Sequence, residues 1–295
     1  MPFPRPIRVA ALLALGLLSA CVTLERTAPP PATPAPVAYA PPKVVLALGG
    51  GAARGFAHVG VIKTLESHGI VPDMVIGTSA GSVVGALYAA GYSGYELQKL
   101  AMKLDESSIT DWSLADRGVL KGEALQKFIN EAVKQQPMER LKKPFAAVAT
   151  DLKSGEAVTF RSGNTGMAVR ASSSVPGVFQ PVTINGHEYV DGGLVSPVPV
   201  RAARAMGGEV VIAVDISSKP RNGKVSGLME VLLQTFAIMG SHLGQEEMME
   251  ADVVIRPDIP GIGSTDFKSR NDAILEGERA AQAALPQIRA KLGLK

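Results

Sequence analysis

Hydrophobic positions along this chain switch repeatedly between two periods. Residues 44–48 are a continuous apolar run, as in a strand buried on both faces of a parallel sheet, and three glycines at 49–51 end it. A helical pattern follows over 57–68, with Val59, Ile62 and Leu65 on one side. A short strand at 74–76 leads to an apolar helix of small residues at 80–90, able to pack deep. An amphipathic helix is predicted over 122–136, where Leu125, Phe128, Ile129, Ala132 and Val133 recur at helical spacing. Residues 145–149 and 210–214 read as further buried strands, and 183–190 as a hairpin turning at Asn185-Gly186. A long Met-containing helix at 225–249, a strand at 253–255 and a helix at 273–292 complete the pattern. The 225–249 helix is expected to lie in the core rather than against lipid. There is no internal repeat. Strands alternating with helices predict an α/β fold, with a mostly parallel sheet covered on both faces.

Upstream of residue 43 the chain changes character. Arg5 and Arg8 make a basic start, residues 9–18 are apolar apart from Gly16, and Leu18-Ser19-Ala20-Cys21 follows. That is the layout of a secretory signal, and its small residues before a cysteine resemble a bacterial lipobox. The resemblance implies cleavage before Cys21 and lipid on its thiol and new amino group. The apolar run is about half the ~20 residues that span a bilayer. Val22, rather than Asp, follows the cysteine, which by analogy with Gram-negative sorting points to the outer membrane, on its periplasmic side. Residues 27–42 are rich in Pro and Ala and read as an extended tether. Three segments are expected: a signal peptide at 1–20, a lipidated cysteine and tether at 21–42, and one enzymatic domain at 43–295.

Composition narrows the class. Hydrophobic residues make up 46% and charged residues 19%, a globular balance, and the net charge of +3 is too small to argue for nucleic acid. With Cys21 the only cysteine, no internal disulfide forms.

Three glycine-bearing stretches carry candidate chemistry. Gly77-Thr78-Ser79-Ala80-Gly81 sits between a predicted strand and a predicted helix, the context of a G-x-S-x-G nucleophile elbow. The glycines allow close backbone approach, and the helix that starts there aims amides at the site. Gly49-Gly50-Gly51-Ala52-Ala53-Arg54-Gly55 again joins strand to helix. Its free amides could stabilise an oxyanion or a phosphate. A nucleotide loop fits poorly, because no Gly-Lys-Ser/Thr is present and Arg54 stands where a dinucleotide fingerprint needs its third glycine. Asp191-Gly192-Gly193 follows the hairpin and reads equally well as a turn. Of the four histidines, His58, His68 and His187 precede Asp191 and do not fit the order of a serine triad, and His242, which does follow it, lies in the long helix with no Gly-rich loop to present it and stays as the alternative base. A carboxylate acting directly on the serine is the simpler solution, and desolvation would raise its pKa toward neutrality.

These residues together resemble the patatin-like phospholipase family. The glycine loop with Arg54-Gly55, the elbow from Gly77 to Gly81 and Asp191-Gly192-Gly193 occur in the family's order, and residues 171–182 (ASSSVPGVFQPV) are similar to the segment that precedes its Asp motif. The resemblance covers about residues 44–215. It implies a three-layer α/β/α sandwich and a Ser–Asp dyad with no catalytic histidine, metal or cofactor. It assigns Ser79 as nucleophile and Asp191, followed by Gly192 and Gly193, as base. It gives the oxyanion hole to the loop around Gly50 and Gly51, with Arg54 and Gly55. Ala52 stands where the family's glycine triplet has its last glycine, which leaves open which amides form the hole. Residues 171–181 read as a tight helix end beside the sheet, and His58 as a helix residue near the loop. The implied partners are an acyl-lipid substrate, phospholipid or lysophospholipid, and a membrane held through the N-terminal lipid. Soluble esters or thioesters, or lipid binding without turnover, are the alternatives.

Overall fold

The computed structural model describes residues 42–105, 107, 109, 111, 118–217, 227–259, 261–263 and 265–294. The expected signal peptide, Cys21 and the tether lie outside the described residues, apart from residue 42.

The architecture is an α/β sandwich built on a single large sheet. Strands β1 (Val44–Leu48), β2 (Met74–Thr78), β4 (Phe145–Asp151), β9 (Val210–Val214) and β10 (Val253–Ile255) run parallel, and with β7 (Val182–Ile184) and β8 (His187–Asp191) the order of hydrogen-bonded neighbours is β10-β9-β1-β2-β4-β8-β7. β7 and β8 form the predicted hairpin, antiparallel to each other, and β8 is antiparallel to β4. Asn185 and Gly186 turn it with φ 52° and 83°, both in the left-handed region, as a type I′ turn requires. β5 (Ala157–Phe160) also pairs with β4, and a separate ribbon joins β3 (Gly118–Leu120) to β6 (Gly177–Phe179).

Alternate strand residues serve the two faces. Leu46, Leu48, Ile212 and Val214 pack beneath α1 (Phe56–Ser67), α2 (Ala80–Ala89), α3 (Gly94–Lys103) and α8 (Arg270–Leu292). Val45, Ala47, Val211 and Ala213 meet Val200 and Ala203 of α6 (Val200–Ala205) and Met248, at the end of α7 (Leu228–Met248). Strands buried on both faces explain why the sequence reads as continuous apolar runs rather than alternation.

Three expectations change. The helix expected over 122–136 is α4 (Glu123–Ala132), and Lys134 and Gln135, both at φ 57°, turn the chain after it. The sequence reading passed over α3, β5 and α5 (Thr165–Ser172), although Ser93 and Glu96 form a capping box at the start of α3. The expected core helix at 225–249 is not a core helix. In α7 only Gly240, Gly244, Glu247 and Met248 are buried, while Leu228, Val231, Leu232, Ile238 and Met239 are exposed. Hydrophobic content marks apolar surface on a helix but does not supply a partner to cover it.

The feature that positions the site is a fork on one strand. β5 occupies one edge of β4 from Ala147 to Thr150, so β2 and β8 share the other edge. β2 runs parallel along it as far as the Thr78–Val148 pair, and β8 runs antiparallel and ends at the Asp191–Ala149 pair. The two strands therefore end head to head, one β4 residue apart, which is about 3.3 Å.

Candidate active site

Ser79 alone makes the turn between β2 and α2, at φ 53° and ψ −123°. A non-glycine residue held there costs on the order of 1–3 kcal/mol, and persists only where its surroundings over-determine it. They do so here. A Cβ on Gly77 would overlap the Gly81 carbonyl, and one on Gly81 would overlap that of Leu48, so both glycines are required by close approach. The Ser79 amide donates to Ser172 Oγ at 2.9 Å, and that hydroxyl donates onward to the Val148 carbonyl at 2.6 Å. The Ser79 carbonyl accepts from the amide and hydroxyl of Ser82, at 2.8 and 2.7 Å.

Asp191 closes the fork from the other side. Its amide donates to the Ser174 carbonyl at 2.9 Å, and its carbonyl accepts from Thr150 Oγ1 at 2.8 Å. Gly192 has to lack a side chain, because a Cβ would overlap the Val148 carbonyl. The Gly193 amide donates to Asp191 Oδ1 at 2.7 Å, while the buried Oδ2 has no hydrogen-bond partner among the described residues. Burial pushes the Asp191 carboxyl up to about 6, against the opposing pull of the Ser79 hydroxyl and the Gly193 amide. The Ser79 hydroxyl thus favours the ionised carboxyl as a hydrogen-bond donor does, although it makes no full hydrogen bond to Oδ2.

The glycine loop lies against the elbow: a Cβ on Gly50 would stand 3.2 Å from Ser79 Cβ, and one on Gly55 would stand 2.8 Å from Ala80 Cβ. Most of its polar groups hold its own shape. Gly49 and Gly50 donate their amides to the carbonyls of Val214 and Pro197 at 3.0 and 2.9 Å, and the Arg54 amide donates to Gly51 at 3.1 Å. The Arg54 side chain is buried and donates through Nε to the Ile216 carbonyl at 2.9 Å. Of the residues expected to supply an oxyanion hole, Gly50 and Arg54 therefore have engaged amides. The amides of Gly51 and Ala52 make no hydrogen bond among the described residues. Ala52 takes φ 51°, the conformation for which the glycine it replaces would be suited.

His58 braces this loop from below. Its Nε2 lies 2.8 Å from the Gly49 carbonyl, and burial lowers its pKa to about 4. The ring is neutral at ordinary pH, and facing a carbonyl, Nε2 carries the hydrogen and donates it. His187 pairs with Asp151 at 3.0 Å and His68 bonds the Thr64 carbonyl at 2.8 Å. His242 is exposed on α7. No histidine hydrogen-bonds Ser79 or Asp191 among the described residues.

Two groups escaped the sequence reading. Ser172 and Ser174, read as part of a tight helix end, hold the backbones of Ser79 and Asp191. The run of three serines was visible, but a hydroxyl's partner 93 positions away was not. The second is Glu247, buried at the end of α7, which accepts from Ser196 Oγ at 2.8 Å and is pushed up to about 7 by burial. The Ser196 carbonyl in turn accepts from Thr78 Oγ1 at 2.8 Å, next to the elbow.

Comparison with known proteins agrees with this fold. The family profile described as patatin-like phospholipase matches residues 46–204. An uncharacterized NTE family protein of Mycobacterium bovis is 37% identical over 179 residues, 60% of this chain and 49% of that one. Mouse patatin-like phospholipase domain-containing protein 6 is 34% identical over 184 residues, 60% of this chain and 14% of that one. The chain thus spans about half the length of the mycobacterial relative. Among solved structures, VipD from Legionella pneumophila is similar with a TM-score of 0.56 and 15% identity, over 84% of this chain and 67% of that one. At that identity the likeness speaks for the fold alone.

Proposed function

Because the chain belongs to the patatin-like phospholipase family, we propose that it hydrolyses carboxylic ester bonds of phospholipids or lysophospholipids, with Ser79 as nucleophile and Asp191 as its base. The observation that carries this reading is the fork on β4. The strained Ser79 turn and a buried carboxyl whose Oδ2 has no hydrogen-bond partner among the described residues stand at the two sides of that fork, which supports a proton transfer between them.

The chemistry follows from the charges. Above a pH of about 6 Asp191 is a carboxylate in an apolar setting, a stronger base than a solvated one. It takes the Ser79 proton as Oγ attacks the acyl carbonyl carbon. The negative charge that develops on the carbonyl oxygen is met by the amides of Gly51 and Ala52, the two left open by the loop. Collapse of the tetrahedral intermediate expels the alcohol, which takes the proton back from Asp191 and leaves an acyl group on Ser79. Water, deprotonated by the same carboxylate, then attacks the acyl carbonyl carbon; collapse breaks the bond to Ser79 Oγ, which takes the proton back from Asp191 as the fatty acid leaves. This route uses only side chains and amides of the chain.

Turnover of phosphatidylglycerol vesicles tests the reading. Ser79→Ala and Asp191→Asn are each expected to abolish fatty-acid release in folded protein. Robust release by Asp191→Asn contradicts the dyad.

The N-terminal reading joins it as a proposal: lipid at Cys21, outside the described residues, tethers the domain to the outer membrane. Mass spectrometry of the mature N-terminus checks this. A Cys21 carrying lipid on its thiol and on its amino group is expected, and an unmodified cysteine contradicts it. Among the described residues no helix is long and apolar enough to cross a membrane.

A further inference from the structure

Helix α7 changes character along its axis as well as around it. Toward its C-terminal end it packs firmly: a Cβ on Gly244 would lie 3.4 Å from Pro197 Cγ, and Glu247 and Met248 are buried. None of residues 228–239 is buried. At about 100° per residue, Leu228, Val231, Leu232, Ile238 and Met239 share the face turned away from Gly240 and Gly244. Leu228 is 79% exposed, Val231 48% and Ile238 43%. Farther along, the same face turns polar, with exposed His242, Gln245 and Glu246.

This apolar end adjoins the candidate site. Met229 Cε and Leu232 Cδ1 lie 3.3 and 3.6 Å from where a Cβ of Gly177 would stand. Gly177 is three residues past Ser174, whose carbonyl holds the Asp191 amide. Val119, on the strand paired with Gly177 and its neighbours, adds another exposed apolar side chain, 44% exposed.

We propose that the first three turns of α7 are a docking element that seats the site on an anionic phospholipid bilayer. Three observations select that occupant. A protein-binding helix shows an apolar stripe with a polar rim along its length. Here polarity instead grades along the axis, as it does with depth from acyl chains to headgroups. Glu230 is the only Asp, Glu, Lys or Arg between residues 228 and 245, so few charges would have to leave water. In sequence, Lys219, Arg221 and Lys224 precede the helix, with no acidic residue from 216 to 229; that sign suits anionic lipid. The inference rests on the lipid-hydrolase reading for its purpose, since an ester inside a bilayer reaches a buried serine only if the site meets the surface.

The test uses the full chain carrying Cys21→Ser, which removes the thiol-linked lipid, and equimolar phosphatidylcholine–phosphatidylglycerol vesicles. Wild type and Val231→Glu/Ile238→Glu share residues 1–20, so their difference reports on the helix. The double variant is expected to lose roughly tenfold or more in vesicle-bound fraction, and in the ratio of vesicle to soluble short-chain ester turnover. Binding equal to wild type overturns the proposal. So does a wild-type dimer by light scattering that the substitutions dissociate while vesicle binding is unchanged, because the face then belongs to a second copy. If the double variant fails to fold, Ile238→Trp in a Trp112→Phe chain replaces it. Its emission is expected to shift to the blue on vesicle addition, and no shift overturns the proposal. Ser79→Ala is expected to bind vesicles as wild type does, so loss of turnover and loss of docking are read separately.

Discussion

The backbone amides and carbonyls of Ser79 and Asp191 all have protein partners, whereas along the first three turns of α7, beside the same site, no apolar side chain is buried. The first region is a strained turn fixed by hydrogen bonds from three elements. The second is a helix fastened at one end by Glu247 and left uncovered at the other. The tasks proposed for them would explain the difference. Proton transfer between Ser79 and Asp191 requires positions fixed to a fraction of an ångström. Contact with a fluid apolar surface requires area and tolerates variation. If so, substitutions in the first region should damage catalysis on every substrate, and those in the second only on assembled lipid.

The largest effect expected below outright loss of the dyad is at Ser172. Its hydroxyl holds the Ser79 amide and the Val148 carbonyl at once. Ser172→Ala leaves both without that partner, and kcat is predicted to fall roughly 10- to 100-fold on vesicles and soluble esters alike. Ser172→Thr is predicted to restore most of it. An unchanged kcat with a lowered melting temperature would make Ser172 merely structural and blur the comparison.

An effect of middle size is on stability. The folded protein raises the Asp191 pKa from 3.8 to about 6, so it binds this proton more tightly than the unfolded chain does. The stability this contributes is complete below pH 3.8 and is lost as pH rises through about 6, leaving a buried charge above it. Asp191→Asn removes that charge. It is predicted to stabilise the fold at pH 8, by on the order of 3 kcal/mol at most, and by little at pH 4. Urea melts at both pH values check this, and an equal effect at the two would show that the carboxyl is not tuned by burial.

The smallest effect is at Ala52. Its φ of 51° costs roughly 1–2 kcal/mol for a residue with a Cβ. Glycine would remove that strain but loses about 0.5–1 kcal/mol through the greater freedom of the unfolded chain. Ala52→Gly is therefore predicted to stabilise by about 0–1.5 kcal/mol. A clear loss would mean that the alanine methyl packs to a purpose in the loop.

Much of the candidate site is legible in the sequence because its signals are local. The elbow, the glycine loop and Asp191-Gly192-Gly193 each depend on residues a few positions apart, and the hairpin turn at Asn185-Gly186 is fixed by φ alone. The fork that unites them was not legible. That β2 and β8 end on adjacent residues of β4 is a matter of register between distant segments. The roles of Gly50 and Arg54 went the same way, since an amide's availability depends on whether Pro197 or Gly51 reaches it. For α7 the sequence carried its apolarity but not its exposure. The packed end relies on Gly240 and Gly244, which leave little hydrophobic signal, while the strongly apolar end has no covering element among the described residues.

The measurement that bears most directly on the central claim is the rate of covalent labelling by a fluorophosphonate as a function of pH, with the adduct located by mass spectrometry. The account predicts one adduct on Ser79, formed at a rate that rises with pH through about 6 and then levels as Asp191 becomes ionised, and no labelling in folded Asp191→Asn. An adduct on another residue, or labelling of Asp191→Asn at the wild-type rate, would contradict it.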